Sequence, residues 1–321
     1  MDTFMCSSWY LYRYLDAHND RQPWDKAQAS KWLPVDIYIG GAEHACMHLL
    51  YFRFIAKVLF DTGWVPSDEP VERLYHHGMV CDEKGDIMSK SKGNVVSPGV
   101  IMDQWGVDVS RLAMFFFAPS NIDIKWKEDG LAGAQRLVLR LWNLFEDLAP
   151  KVRGASGKSE AYKPLRRQAH VMLARMTQAA EGALDFNTGI AEVYKLLNTY
   201  DDLKPEAKSG HEKAALHEVL TLLCKTIAPL APFIGEEFYD MLGGKGSVFK
   251  SGWPEFDAAA AKADEVEIPV QVNGKLRAKF LISPDATEDA MKAAAMALPA
   301  LQGLTPKRVI VVKSRLVNIV V

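Results

Sequence analysis

Disulfide and zinc signatures are missing from this sequence. Its four cysteines, Cys6, Cys46, Cys81 and Cys224, stand far apart and form no CxxC pair, which fits a reducing compartment and gives no zinc site. No apolar run reaches the roughly 20 residues that cross a bilayer, and the N-terminus carries no basic-then-apolar signal. Charge of one sign is not in excess either: 38 Lys and Arg against 40 Asp and Glu leave a formal net charge of −2. That argues against a protein that coats nucleic acid indiscriminately, while leaving room for local basic patches. No Gly stands five residues before a Gly-Lys-Ser/Thr, so there is no Walker A loop. The absences together read as a soluble, cytosolic protein. With 49% hydrophobic residues over 321 positions, the chain can build the cores of two or three domains.

What is present centres on residues 86–94, where Ser89, Lys90, Ser91 and Lys92 are followed by Gly93-Asn94. Gly and Asn take φ > 0 at little cost. Short Ser/Lys/Gly runs are mostly solvated surface turns, so context has to give this one a role. A mobile, cationic, donor-rich loop does suit a polyanion whose charge changes during reaction.

The context is an α/β pattern. Residues 4–15 are aromatic from the outset, with no cap or first strand, which implies that the chain starts inside a larger fold. A turn-rich stretch, 16–31, follows. Alternation over 35–39 predicts a strand, ended by Gly40-Gly41 and followed by a helix over about 43–62. A strand, a Gly-Gly turn and a helix make half of a nucleotide-binding unit, in which ligands sit at the carboxyl ends of strands. A further strand at 78–81 leads into the loop, as the last strand before a helical region. Ser97-Pro98 starts a helix, and another spans 109–117.

Beyond about residue 122 the periodicity is helical. Leu137, Leu141, Leu144 and Leu148 share a stripe that should end before Pro150. Residues 154–158 read as a flexible link. Helices are expected at 164–182, 188–203 and 211–242, with Pro229 and Pro232 kinking or breaking the last, and together they make a bundle. Arg136, Arg140, Lys151 and Arg153 form either a solvated face or an RNA-backbone contact. Residues 258–263 read as a linker. Alternating runs at 267–272 and 275–282 flank Asn273-Gly274, a type I′ hairpin signal, and a helix at 285–298 and two more strands complete a ββαββ module. Lys275, Arg277, Lys279, Lys307, Arg308, Lys313 and Arg315 make that module basic, through nucleic-acid contact or solubility alone.

Four segments carry a family resemblance. Residues 2–10 read DTFMCSSWY, residues 35–54 read VDIYIGGAEHACMHLLYFRF, residues 88–91 read MSKS, and residues 228–237 read APLAPFIGEE before Trp253-Pro254. They resemble the bacterial leucyl-tRNA synthetases, class I aminoacyl-tRNA synthetases, and the likeness extends over essentially the whole chain. It implies the second half of a Rossmann-like catalytic domain over residues 1–118, a helical-bundle tRNA-binding domain over 119–256 and a small α/β domain over 265–321. A HIGH-type motif and an editing domain have no counterpart here. The chain therefore reads as a C-terminal portion, either a fragment or one subunit paired with a separate N-terminal catalytic and editing subunit. Ile87 stands where the family's loop signature has its first lysine.

The implied reaction is ATP-dependent activation of leucine, with Mg²⁺, and transfer to tRNA(Leu). Lys90 is the expected catalytic cation on the departing pyrophosphate, and losing such a contact costs about 3–4 kcal/mol of barrier. The ATP site would draw on Gly40, Gly41, Glu43, Met79, Val80, Met88, Ser89, Lys90 and Ser91. Leucine would meet Phe4, Ser7, Tyr10, Tyr38, His44 and His48. His44 and His48 are spaced i, i+4, which puts both imidazoles on one helix face. Spacing alone leaves structural, metal and substrate roles open. Glu-His-x-x-x-His lacks the base between ligands of a zinc protease, and the resemblance favours substrate contact without a protein-bound metal. Tyr10 and Tyr38 could equally be core residues. A pocket tells leucine from its neighbours by only about 1–3 kcal/mol per methylene, so proofreading would come from another polypeptide. The alternatives are a non-catalytic tRNA-binding module, or part of a synthetase for valine, isoleucine or methionine.

Overall fold

Three apolar cores organise the described residues, which in this computed structural model are 3–157, 159–262, 266–313 and 315–321. Asp2, Lys158, Ala263 and Ser314 lie outside them, so the expected 2–10 motif, the 154–158 link and the 258–263 linker are each described only in part.

The first core is aromatic. α1 (Thr3–Ser7) and α2 (Tyr10–Tyr14) precede α3 (Lys26–Trp32), which the Asp25 side chain caps by accepting the Ala27 amide at 2.7 Å. The 16–31 stretch is thus only partly turn. Tyr12 and Trp24, both 1% exposed, stack with centroids 5.3 Å apart, and the Trp24 indole N–H donates to the Trp64 carbonyl at 3.2 Å. β1 (Val35–Gly41) follows, then a 3-10 turn over Ala42–Cys46 and α4 (His48–Asp61). The single helix expected over 43–62 is broken at Met47 (φ −119°, ψ −102°). Glu43 and His44 therefore sit on a tighter turn ahead of α4 rather than on its face.

β2 (Val71–His77) pairs parallel with β1 from Val35↔Val71 to Gly41↔His77. The sequence hid β2 because neither face of it alternates cleanly in burial. β3 (Val80–Cys81) is not the last strand. Beyond α5 (Pro98–Trp105) and α6 (Val107–Phe117), β4 (Ile124–Lys125) pairs parallel with it in a separate two-stranded sheet.

The second core runs from Ile101 to Val248, so α5 and α6 pack with the bundle. The buried Asp108 carboxylate accepts the Ile234 amide at 2.7 Å, and Arg111 donates to the Pro229 and Leu230 carbonyls. α7 (Glu128–Val152) continues through Pro150, because Leu148, Ala149 and Val152 are buried while Pro150 and Glu146 face solvent. Packing outweighs one lost hydrogen bond in an exposed last turn. α8 (Lys163–Glu181), α9 (Phe186–Leu203), α10 (Gly210–Ile227) and α11 (Pro232–Met241) complete the bundle. The break between the last two has Pro232 in the first turn of α11. The expected linker contains α12 (Ala258–Ala261), capped by Asp257 and packed on α8.

The third core holds β5 (Val266–Val272), β6 (Lys275–Ile282), α13 (Glu288–Met296), β7 (Arg308–Val312) and β8 (Leu316–Val320), in sheet order β6-β5-β8-β7. Asn273 and Gly274 both have positive φ (48° and 79°), as a type I′ turn requires.

Candidate active site

The end of β1 and the turn after it gather one group of expected residues. Tyr10 on α2 places its hydroxyl 2.7 Å from that of Tyr38 on β1, and Tyr38 Oη lies 2.8 Å from His48 Nε2 at the start of α4. Residues remote in sequence thus form one polar chain. The His48 ring stacks on Phe52 at 5.3 Å, and the His44 ring stands edge-on at 6.1 Å. The two imidazoles meet despite the break at Met47. Burial and the neighbouring His44 both lower the His48 pKa, so the neutral ring is favoured. Burial, with the Tyr10 bond, raises that of Tyr38.

Three imidazole Nδ1 atoms, on His44, His48 and His76, are buried without a hydrogen-bond partner. His76 is level with Gly40 at the carboxyl end of the β1–β2 pair. Sequence reasoning missed it, since nothing marks it apart from its neighbour His77. Unpaired buried donors and acceptors at a strand end are suited to a polar ligand.

A side chain at Gly41 would displace only the flexible, half-exposed Glu43 carboxylate. A Cβ there would fall 2.2–2.6 Å from the Glu43 carboxylate, which folds back over the strand end with an oxygen 3.7 Å from His44 Nε2. Gly40 has open space at the same position. Phe4 on α1 stacks on Tyr51 of α4, with centroids 5.4 Å apart. The Ser7 hydroxyl donates locally to the Phe4 carbonyl at 3.2 Å, so it braces α1.

The cationic loop forms the second group. The Met88 amide donates to the Val80 carbonyl at 3.1 Å, and a bridge joins Cys81 to Ile87, so the loop folds back along β3. Lys90, Ser91 and Lys92 make a 3-10 turn that ends on Gly93 at φ 67°. Only Gly93 uses the left-handed region there; Asn94 instead spends its amide on hydrogen bonds. Two residues that sequence reasoning passed over, or credited with another role, shape this loop. The Asp82 carboxylate accepts the amides of Lys84 and Asp86 at 3.0 and 2.9 Å and the Asn94 side-chain amide at 2.9 Å. Asn94 Oδ1 accepts the Ser89 amide at 3.0 Å. The Asp-x-x-Gly turn at 82–85 was the signal available.

Lys90 is exposed, and among the described residues its ammonium has no ion pair. Lys92 lies 4.0 Å from Asp86. Val80 and Met88 border an apolar cavity of about 340 Å³ together with Met102 and Trp126. No hydrogen bond joins the loop to the Tyr38–His48 group among the described residues. No group of three or more His, Cys, Asp or Glu residues is placed to hold a metal, and no helix is long and apolar enough to cross a membrane, again among the described residues.

The basic residues divide. Arg140 is held by Asp201 at 2.7 Å and Lys151 by Asp147 at 2.5 Å. Lys279 pairs with Glu267 at 2.8 Å. Lys275, Arg277, Lys307, Arg308, Lys313 and Arg315 are exposed, on or beside strands of the C-terminal sheet.

Comparison with known proteins places this geometry. Residues 2–127 match the family described as tRNA synthetases class I (I, L, M and V). Residues 163–292 match the anticodon-binding domain of tRNA ligase. A leucine–tRNA ligase from Geotalea uraniireducens is 42% identical over 330 residues, spanning 100% of this chain and 40% of the relative. One from Thermotoga maritima is 38% identical over 331 residues, with the same coverage. The chain thus spans about 40% of the length of the curated relatives it matches. Among solved structures, a LeuRS–tRNA–LeuAMS ternary complex from Agrobacterium radiobacter K84 superposes with a TM-score of 0.83 at 32% identity, covering 100% of this chain and 42% of that one. A methionyl-tRNA synthetase from Mycobacterium tuberculosis with methionyl-adenylate gives 0.54 at 19% identity, covering 68% of this chain and 47% of that one. At that identity it speaks for the fold alone.

Proposed function

We propose that the chain belongs to the class I aminoacyl-tRNA synthetases, corresponds along its whole length to part of the leucine–tRNA ligases, and supplies part of that activity: ATP-dependent activation of leucine and transfer of leucine to tRNA(Leu). The observation that carries this reading is the correspondence of the whole chain with leucine ligases at 38–42% identity.

In this reading the Tyr10–Tyr38–His48 chain, with Phe4, Ser7 and His44, forms the wall that meets leucine. Neutral His48 presents a hydrogen-bonding nitrogen without placing a cation beside the amino group of the substrate. Gly40 and Gly41 let the nucleotide approach the strand end, and Glu43 is positioned to accept from ribose hydroxyls. Met79 and Val80 lie along the adenine. Met88, Ser89, Lys90 and Ser91 face the phosphates, with Lys90 stabilising the charge that develops as pyrophosphate leaves. Ile87 cannot supply the second cation. Mg²⁺ usually retains water and is held largely by substrate phosphates. The described residues offer no carboxylate cluster for it, so the ion would arrive with ATP. The bundle and the basic C-terminal sheet are the surfaces for tRNA. The functional division at residues 118 and 256 follows the family resemblance, although α5 and α6 share the bundle core.

The test combines this chain with the remaining portion of a leucine–tRNA ligase and measures leucine-dependent ATP–pyrophosphate exchange. Lys90→Ala should slow exchange by about 10²–10³-fold, the range for one lost preorganised charge stabiliser, and leave tRNA binding unchanged. Absence of exchange from two portions both shown to be folded would remove the proposal. A dependence on valine, isoleucine or methionine instead of leucine would redirect it.

A further inference from the structure

A second lysine lies against the loop that carries Lys90, and it comes from a different part of the chain. Cys81 on β3 has two ladder partners: Lys125 on β4, paired parallel, and Ile87 on the returning limb of the loop, paired antiparallel. They lie on opposite edges of β3. On one edge the Trp126 amide donates to the Cys81 carbonyl at 2.8 Å and the Ile124 amide to that of Met79 at 2.9 Å. On the other, the Met88 amide donates to the Val80 carbonyl at 3.1 Å and the Asp82 amide to that of Asp86 at 2.8 Å. Residues directly opposite one another in a sheet project from the same face. Lys125, Cys81 and Ile87 therefore share a face, with adjacent backbones about 4.8 Å apart.

The Lys125 side chain crosses that face toward the loop. A Cβ on Gly85 would stand 3.2 Å from Lys125 Cε and 3.3 Å from Nζ, so the ammonium rests against bare backbone of the 82–86 turn. Gly85, at φ 93°, supplies both the turn and the space. Cys81, between the two partners, is buried, whereas Ile87 is 45% exposed and Lys125 is exposed. Among the described residues Lys125 has no ion pair, while Lys92 lies 4.0 Å from Asp86. The Asp82 carboxylate is taken by the Lys84 and Asp86 amides and the Asn94 side chain. An uncommitted ammonium thus stands beside the position at which Ile87 brings no charge.

We propose that Lys125 is a further catalytic residue, which supplies the second cation missing at position 87 and contacts the ATP phosphates and the departing pyrophosphate together with Lys90. The inference rests on reading this loop as the phosphate side of an ATP site. A leaving pyrophosphate gains negative charge in the transition state, and a cation held ready on a neighbouring strand stabilises that charge. The flexible four-carbon stem lets the ammonium turn from Gly85 to the level of Ile87 without movement of β4.

Two readouts test it. Inorganic pyrophosphate titrated into the 321-residue chain alone should move the amide NMR signals of Gly85, Ile87 and Lys90. Lys125→Met should weaken that binding about 2- to 5-fold, the worth of an exposed ion pair. In leucine-dependent ATP–pyrophosphate exchange with the remaining portion of a leucine–tRNA ligase, Lys125→Met should lower kcat about 10- to 150-fold, as for one hydrogen bond to a charged group. Ile87→Lys should restore most of that loss in the Lys125→Met background and add little to the unaltered chain, a rescue that a merely structural defect would not show. Lys84→Met, an equal change of charge at the same turn, should leave kcat unchanged. If the unaltered portions together give no exchange, the synthetase reading fails and the titration alone decides for Lys125. The proposal is overturned by pyrophosphate leaving the Gly85 and Ile87 signals unmoved, or by binding that Lys125→Met does not weaken. Full kcat in that variant, no rescue by Ile87→Lys, or an equal loss in Lys84→Met would overturn it as well.

Discussion

Asp82 and Asn94 clasp the ends of the cationic loop, with Asn94 Nδ2 donating to Asp82 Oδ2 at 2.9 Å. The same Asn94 side chain accepts the Ser89 amide at 3.0 Å, and Asp82 also binds the amides of Lys84 and Asp86. Two polar side chains thereby tie the two ends of the 82–94 segment, beside the Met88–Val80 backbone bond and the Cys81–Ile87 bridge. Asn94→Ala should speed amide exchange at Ser89 and Asp86 while leaving α8 and α10 as protected as before. Unchanged exchange at Ser89 would show that the clasp does not hold the loop.

The Tyr38–His48 group should respond to acid. Burial, then His44, lowers the His48 pKa from its ordinary 6.5, and burial likewise lowers that of His217. The unfolded chain therefore binds protons first as pH falls through 6.5. The stability due to both neutral rings is complete above that value and is lost below it, toward their depressed folded values. A urea midpoint measured between pH 7.5 and 5.5, a range set to bracket the ordinary histidine value of about 6.5, should fall with pH. His48→Gln should flatten part of that slope. A slope identical to that of the unaltered chain would exclude His48 as a contributor.

Glu218 is the acid most firmly tied into the bundle. Burial raises its pKa, but His170 at 3.0 Å and Arg166 at 2.6 Å prevail and bring it down to about 2. The Asp257 amide donates to His170 Nδ1 at 3.1 Å, so Nε2 carries the proton that Glu218 accepts. The depressed carboxyl stabilises the fold above 4.5, and that contribution is lost as pH falls toward 2. Glu218→Gln should cost on the order of 1.5–3 kcal/mol, the range for charged hydrogen bonds, as read from chemical denaturation. A loss below a few tenths would mean that Arg166 and His170 find other partners.

Protection from amide exchange should differ along the chain. On α4, Leu50 and Phe54 are 64% and 65% exposed, and β1 and β2 make a sheet of only two strands. An isolated pair of strands is marginal. Residues 35–77 should exchange faster than α8–α10 under identical conditions, and equal protection would contradict this.

Much of the C-terminal module was legible because its signals are local. Asn273-Gly274 requires a hairpin wherever it stands between alternating runs, whereas the Thr287 cap starts α13 at Glu288 rather than at the expected 285. The helices of the bundle followed from stripes such as Leu137 to Leu148. β2 and β4 were not legible. One has no clean alternation and the other is two residues long, so each exists through its parallel partner, β1 or β3.

The candidate site divides the same way. Sequence by itself determined the family resemblance, the chemical types at positions 38, 44, 48 and 90, and the loop that carries Lys90, because those are properties of residues and their order. Tertiary structure alone decided that Tyr10, Tyr38 and His48 form one hydrogen-bonded chain, that the backbone breaks at Met47 between His44 and His48, and that Asn94 braces the loop instead of turning it. The reason is physical. Periodicity fixes which side of an element is apolar, whereas a hydrogen bond between residues 28 positions apart depends on how separate elements pack.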